Sequence, residues 1–107
     1  MANDFKGCQA VGVTTATTVY TSTGKDSILL ELDIANTTSS AVTASAEVLD
    51  SDAGTDAFIV KDAPIPAGSS LQVISGQKVI LESGDSVRVT ASGACDVVCS
   101  ILEDVNS

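Results

Sequence analysis

Residues 64–89 read PIPAGSSLQVISGQKVILESGDSVRV and combine turn residues with short apolar runs. Pro64 and Pro66 hold the backbone extended on both sides of Ile65 and remove two amide donors, which is typical of a sheet edge or a crossover between sheets. We expect Ile65 to close one end of the fold. The stretch therefore predicts β-strands and the corners between them.

The rest of this stretch predicts three strands, with a tight connection between the first two and a Ser-Gly-Asp turn before the third. The third strand alternates strictly, so Val87 and Val89 are expected to face inward and Arg88 outward. The strands are residues 71–75, 78–82 and 86–92, and the connections are Gly76–Gln77 and residues 83–85.

Similar patterns extend along the whole chain, since turn clusters recur about every ten residues and helical periodicity is nearly absent. Further strands are predicted over residues 9–20 (with a bulge at Gly12), 28–35, 41–49, 57–63 and 95–105. Strands 28–35 and 41–49 are expected to pair as a hairpin. Their inward residues would be Ile28, Leu30, Leu32 and Ile34, then Val42, Ala44, Ala46 and Val48, with Glu31 and Asp33 outward.

These elements predict an all-β protein, a single antiparallel β-sandwich of about eight strands with an immunoglobulin-like or jelly-roll-like arrangement. The 107 residues suit one domain covering residues 1–107. Residues 1–8 depart from the strand pattern, and we expect them to form an N-terminal arm that reaches a neighbouring subunit.

Composition excludes several classes of partner. Five basic and fourteen acidic residues give a net charge of −9, which disfavours nucleic acid. Only three aromatic side chains are present, Phe5, Tyr20 and Phe58, so stacking platforms for sugars or bases are scarce. The sequence has no apolar run long enough to span a membrane and no apolar signal segment, and we expect synthesis in a cell cytoplasm.

The sequence predicts no catalytic residues and no cofactor. The chain has no histidine to activate a serine or cysteine nucleophile. The glycines of the SGQK and SGDS segments are expected in turns, because a phosphate-binding loop would need a following Gly-Lys-Ser/Thr and a helix. An enzyme is therefore the least favoured class.

The acidic loop DSDAGTD, residues 50–56, holds the one metal candidate. Asp50, Asp52 and Asp56 offer the hard oxygen ligands that calcium prefers. Gly54 and Lys61, however, stand where an EF-hand would require ligands. A solvated turn explains the same residues, so calcium and a plain loop both remain open.

Cys8, Cys95 and Cys99 are expected to be small buried hydrophobes. On one strand, Cys95 and Cys99 would lie about 13 Å apart, too far for a disulfide. A bridge from Cys8 to either partner is the alternative, although a reducing cytosol disfavours it.

Two segments carry a resemblance to a known group. Residues 65–69 (IPAGS) and 81–89 (LESGDSVRV), followed by the closing apolar strand 97–102, resemble small β-sandwich virion proteins of tailed bacteriophages. The segment LLELDIANTTSSAVTASAEVLDSD is similar to that group as well, with a strand ending in Ala-Asn before a polar turn. The resemblance covers roughly residues 27–105.

The resemblance implies a non-enzymatic structural protein of the virion. Its first form is a capsid decoration or cement protein that binds the outer surface of the major capsid protein, as a homo-oligomer or in many symmetric copies. A neck or tail component is the alternative under the same resemblance. Apart from the resemblance, an extracellular-type β-sandwich module that binds carbohydrate or calcium is a third hypothesis. The acidic charge agrees with an outer location, away from packaged DNA.

Overall fold

The structure is a computed structural model that describes residues 4–23, 26–52 and 54–105, with the backbone alone for residues 75–77, 104 and 105. The described residues form strands joined by turns. The strands are β1 (Asp4–Val13), β2 (Thr17–Thr21), β3 (Asp26–Asn36), β4 (Val42–Asp50), β5 (Thr55–Ile65), β6 (Ser70–Leu81), β7 (Ser86–Ala91) and β8 (Cys95–Val105). Among these residues, no helix has the length and apolar character needed to cross a membrane.

The strands form two antiparallel sheets of four. Sheet A has the order β1-β8-β3-β6, and sheet B has the order β2-β7-β4-β5. The first strand pairs with the last, the second with the seventh, the third with the sixth and the fourth with the fifth. This nested pairing is the jelly-roll arrangement, and it selects that alternative over the immunoglobulin-like one. The predicted all-β sandwich is confirmed.

The expected β3–β4 hairpin is wrong. The two strands lie in different sheets, and β4 instead forms a hairpin with β5. The sequence pattern could not distinguish these cases, because a strand that crosses to the opposite sheet alternates just as a hairpin strand does. In the described chain, the β4–β5 connection is the one that stays within a sheet.

The core lies between the sheets and consists of aliphatic side chains, small residues and cysteine. Its fully buried members include Leu29, Leu32, Ile34, Ile65, Leu81, Val87, Val89, Val97 and Ile101. In β4, Val42, Ala44 and Ala46 are buried as expected, while Val48 is partly buried against the core. Val87 and Val89 confirm the alternation predicted for β7.

The expected inward positions of Ile28 and Leu30 are wrong. The pairing of β3 with both neighbours shifts between Leu29 and Glu31, which marks a β-bulge. Because the extra residue changes the phase of the alternation, Leu29 is buried before the bulge and Leu32 after it. Ile28 and Leu30 are only partly buried.

The strand predicted over residues 9–20 is two strands in different sheets. β1 ends at Val13 and β2 begins at Thr17, so the chain crosses the sandwich in between. The bulge predicted at Gly12 is confirmed by a register shift between Ala10 and Val13 and by a φ of 67° at Gly12. A left-handed backbone of this kind favours glycine.

The tight connection predicted at Gly76–Gln77 is wrong, because β6 runs through it as one strand. Val79 lies opposite Leu29 of β3, and Ser75 lies opposite Glu31. Residues 76–78 of β6 therefore face Leu30 alone, and the extra residues form a bulge in the strand. A bulge and a two-residue turn use the same residue types, and glycine suits both.

The proline segment is both an edge and a crossover, as predicted. Pro64 lies on β5, the edge strand of sheet B, and the chain then passes to sheet A. Ile65 is only 1% exposed and belongs to the core. Asn36 secures the crossover, since its Nδ2 donates to the carbonyl oxygens of Ile65 at 3.0 Å and of Pro66 at 3.2 Å.

The N-terminal arm expected over residues 1–8 falls only partly within the described residues. Residues 4–8 begin β1 and pair with β8, from Asp4 opposite Glu103 to Cys8 opposite Cys99. They therefore lie in sheet A in this structure. Residues 1–3 lie outside the described residues, and an arm reaching a neighbouring subunit stays a prediction.

Candidate functional site

The acidic loop between β4 and β5 is held by internal contacts. The Asp50 Oδ1 accepts a hydrogen bond from the Asp52 amide at 3.0 Å, and the Gly54 amide donates to the Asp50 carbonyl at 2.9 Å. Gly54 has a φ of 67°, the left-handed backbone that such a turn requires. These contacts are those of an Asx-type turn.

The third candidate ligand of this loop, Asp56, is engaged elsewhere. Its Oδ2 accepts a hydrogen bond at 3.3 Å from Arg88, whose guanidinium also pairs with Glu47. Among the described residues, no group of three or more Cys, Asp or Glu side chains is placed to hold a metal ion. The contacts favour the solvated-loop alternative, and calcium at Asp50, Asp52 and Asp56 stays an untested candidate.

Residues of the acidic loop and of the Ser-Gly-Asp turn together line a cavity of about 290 Å³. The turn is present as predicted, with a φ of 95° at Gly84 and a 2.9 Å hydrogen bond from the Asp85 amide to the Glu82 carbonyl. A Cβ at Gly84 would approach the Ser51 Oγ to 2.7 Å, so the two loops are in close contact.

Asp85, which the sequence placed only in a turn, joins these loops. It is 5% exposed, and its Oδ1 accepts a hydrogen bond from the Ser51 amide at 3.1 Å. Its Oδ2 accepts one from the Glu82 amide at 3.0 Å. A buried carboxylate satisfied by backbone amides stabilises the loops, so Asp85 has a structural role.

The outer face of sheet B carries an ion cluster. Arg88 points outward as predicted and pairs with Glu47, which is buried, and with Asp56. The Arg88 Nε is buried without a hydrogen-bond partner. Beside the cluster, the Lys61 ammonium lies 5.2 Å from the centre of the Phe58 ring. The acidic residues thus neutralise the one arginine on this face.

The outer face of sheet A carries a pair of carboxylates. Glu31 and Asp33 face outward as predicted, and one oxygen of Asp33 is buried with no hydrogen-bond partner. Burial, and then the hydrogen bond and charge of Glu31, raise the pKa of Asp33 from its ordinary value of 3.8 to about 6. Asp33 is therefore less stable as an anion in the fold than in water.

An apolar row crosses the same face at right angles to the strands. We define it as Phe5, Leu102, Ile28 and Ile80, which are opposite one another in register on β1, β8, β3 and β6. The end residues are the exposed ones, Phe5 at 79% and Ile80 at 59%, while Leu102 and Ile28 are partly buried. Four aligned apolar side chains on a solvent-facing sheet indicate a contact surface.

Sequence reasoning missed the apolar row because its members come from four distant segments. The bulges in β3 and β6 set the register that brings Ile28 opposite Ile80. The signal that was present in the sequence is Phe5, an aromatic residue between the charged Asp4 and Lys6, where no inward-facing alternation explains it.

The expectation that all three cysteines are free is wrong. Cys8 and Cys99 form a disulfide, with their Cα atoms 5.1 Å apart on paired positions of β1 and β8. This separation lies within the range that a disulfide spans. Cys95 is a free buried thiol, as expected, and burial followed by the charge of Asp96 raises its pKa. Of the two alternatives for Cys8, the structure selects Cys99.

No protein-family model matches this chain, and no curated protein sequence is significantly similar to it. Solved structures that are similar to this one include the following two. One is from the Bacillus endospore appendages, described as a novel family of disulfide-linked pili, with a TM-score of 0.51 and 15% identity over 98% of this chain and 88% of that one. The other is a pentameric capsid protein isolated from metagenomic phage sequences, with a TM-score of 0.49 and 20% identity over 91% of this chain and 60% of that one.

At these identities the first likeness shows the fold alone, and the second carries no weight at its TM-score. The chain is thus an all-β, two-sheet jelly roll that resembles a pilus structure in fold. Jelly rolls occur in capsid, lectin and other proteins, so the fold does not identify a role, and the surface of the molecule is the better guide to its function.

Proposed function

We propose that this chain is a single-domain, non-enzymatic structural subunit of a virion of a tailed bacteriophage. Its specific role is decoration or cementing of the capsid, through contact with the outer surface of the major capsid protein shell. The observation that carries the proposal is the contact surface on sheet A, where Phe5, Ile80 and Val98 are all more than half exposed. Side chains of this kind on an acidic protein are best explained by protein partners.

The resemblance to phage sandwich proteins supports the specific role. The sequence segments that carry this resemblance form connections and a strand of the fold. The IPAGS segment makes the crossover from β5 to β6, and LESGDSVRV makes the turn and the strand β7. The fold likeness to a structure of disulfide-linked pili is compatible with this role, since it shows a similar fold in a protein assembly. The Cys8–Cys99 disulfide is also in keeping with a particle released from the cell, since disulfides persist in oxidising surroundings.

The test is whether the purified chain binds to heads from a phage whose gene for this protein has been deleted. We expect the protein to co-sediment with the heads at a fixed ratio to the major capsid protein and to raise the temperature at which heads release DNA. Binding to isolated tails or necks instead would place the protein there, as the alternative form of a virion component. Absence of binding to heads, necks and tails would overturn the proposal.

A further inference from the structure

We propose that copies of this chain associate head to tail, with the β1 edge of one copy pairing with the β6 edge of the next. The occupant of each free edge of sheet A is therefore a second copy of the same chain. The proposal deepens the structural role proposed above by naming the contact between subunits. Four features of sheet A carry it: the ends of the apolar row, the directions of the strands, the condition of the edges and their charge.

The apolar row is exposed at its two ends and covered in its middle. Leu102 and Ile28 have an apolar neighbour on both sides, while Phe5 and Ile80 each have one on a single side only. Pairing β6 with β1 of the next copy would place Ile80 beside that copy's Phe5. Each exposed end would then supply the neighbour that the other lacks, and burial of both side chains would favour association.

The directions of the strands fit this arrangement. β1, β8, β3 and β6 are related by three successive antiparallel pairings, so β6 runs opposite to β1. A second copy in the same orientation therefore presents its β1 antiparallel to the first copy's β6. Sheet A would continue across the boundary with no change in the alternation of strands.

The two edges of sheet A are open where the apolar row meets them. β1 pairs regularly from Asp4 to Ala10, and β6 pairs regularly over residues 79–81. The bulges of β1 and β6 lie outside these two segments, between Ala10 and Val13 and between Ser75 and Val79. In sheet B, β5 carries Pro64 and a left-handed Asp62 with a φ of 51°, and the pairing of β2 is interrupted between Thr18 and Tyr20. Proline and bulges hinder strand addition.

Charge favours the same edges. The chain carries a net charge of −9, so copies repel one another over most of their surface. Among the charged residues, β1 contains Asp4 and Lys6, and β6 contains Lys78. Neither edge has a net negative charge, whereas the central strands β3 and β8 are acidic. A contact between β1 and β6 therefore brings no acidic strand of one copy against an acidic strand of the next.

A contact between two different edges is heterologous, so repetition gives a closed ring or an open filament rather than a twofold dimer. This distinction makes the proposal testable with two variants. Phe5→Lys blocks the β1 edge and leaves β6 intact, while Ile80→Lys blocks the β6 edge and leaves β1 intact. Both side chains are exposed, so neither change should disturb the core.

The experiment is sedimentation velocity of the full-length chain over a range of concentrations, at a salt concentration that screens its charge. We expect the wild type to form species larger than the 10.8 kDa monomer. Each variant alone should lose this association and remain monomeric. An equal mixture of the two should form a heterodimer and nothing larger. The Phe5→Lys copy supplies an intact β6 edge, the Ile80→Lys copy supplies an intact β1 edge, and the remaining edge of each copy is blocked.

The matched control is Phe58→Lys, which changes an aromatic residue at 48% exposure on β5 of sheet B, outside the proposed contact. It should associate as the wild type does, and circular dichroism should show that all three variants are folded. A monomeric wild type at every concentration would overturn the proposal. So would an Ile80→Lys variant that dimerises by itself, since that result indicates a twofold contact.

Failure of this proposal is distinct from failure of the structural role. A chain that is monomeric in solution and still binds phage heads keeps the role and loses the head-to-tail contact. A chain that associates head to tail and binds no part of the virion keeps the contact and loses the role.

Discussion

Asn36 shows how a single side chain fixes a corner of this fold. It is 3% exposed, and its amide nitrogen also donates to the Ser40 carbonyl at 2.8 Å. Its Oδ1 accepts a hydrogen bond from the Thr38 amide at 2.8 Å. One side chain therefore holds both the turn after β3 and the proline crossover after β5.

We predict that Asn36→Asp destabilises the protein by about 2–3 kcal/mol, because a carboxylate oxygen would replace the donor that faces the Ile65 and Pro66 carbonyls. The midpoint of urea unfolding measures this effect. Ser39→Asp, an exposed change in the same turn, is the control. Equal midpoints for Asn36→Asp and the wild type would contradict the structural role of Asn36.

Asp33 gives a pH dependence whose sign is fixed by its raised pKa. Below pH 3.8 the carboxyl is protonated in both states and has no effect on stability. As the pH rises to about 6, the unfolded chain releases this proton before the folded chain does, so the folded state loses stability.

We therefore predict that Asp33→Asn stabilises the protein by about 1–2 kcal/mol at neutral pH, allowing for partial solvent exposure, and has little effect near pH 4. Thermal unfolding of both proteins across this range measures the difference. A gain that is the same at both pH values would show that ionisation of Asp33 is not its cause.

At the scale of elements, the Cys8–Cys99 disulfide joins the first strand to the last and closes 91 residues of chain. Without this link the unfolded chain has more conformational entropy. We therefore predict that a reductant lowers the free energy of unfolding by about 2–4 kcal/mol. Urea unfolding with and without reductant measures it.

A Cys95→Ala variant, which keeps the disulfide, should respond to reductant as the wild type does. A double Cys8→Ser, Cys99→Ser variant should not respond. If reductant left the wild-type midpoint unchanged, the bridge would be absent in solution or without effect on stability.

The acidic loop provides a test of the remaining metal candidate. Because Asp56 pairs with Arg88 and Asp50 accepts from the Asp52 amide, we predict that millimolar calcium leaves the melting temperature unchanged relative to a chelator. A rise in melting temperature with calcium that is lost in Asp52→Asn would contradict this prediction and restore calcium as a ligand.

The elements of the fold were largely predictable, and the order in which they pair was not. Alternation and turn residues located most strands, including β8 over residues 95–105, because local chemistry sets where a strand begins and ends. The bulges in β3 and β6, and the crossing between Val13 and Thr17, depend on partner strands far away in sequence. For the same reason, the apolar row and the Cys8–Cys99 pair become visible only in the fold.

At the scale of the whole molecule, the jelly roll separates two surfaces with different character. The outer face of sheet B carries the Arg88 ion cluster, with the half-exposed Phe58 beside it. The outer face of sheet A has an apolar row that reaches two open edges. Subunits that pair edge to edge through β1 and β6 would leave the middle of that face, including Val98 on β8, available for a different partner.

Counting the copies of this chain in purified particles is the direct test of its proposed role as a structural subunit of a virion. Quantitative mass spectrometry of purified particles gives the ratio of this protein to the major capsid protein. We predict a ratio fixed by the symmetry of the shell, with the protein removable from the outer surface of intact heads. Absence of the protein from purified particles would overturn the proposed role.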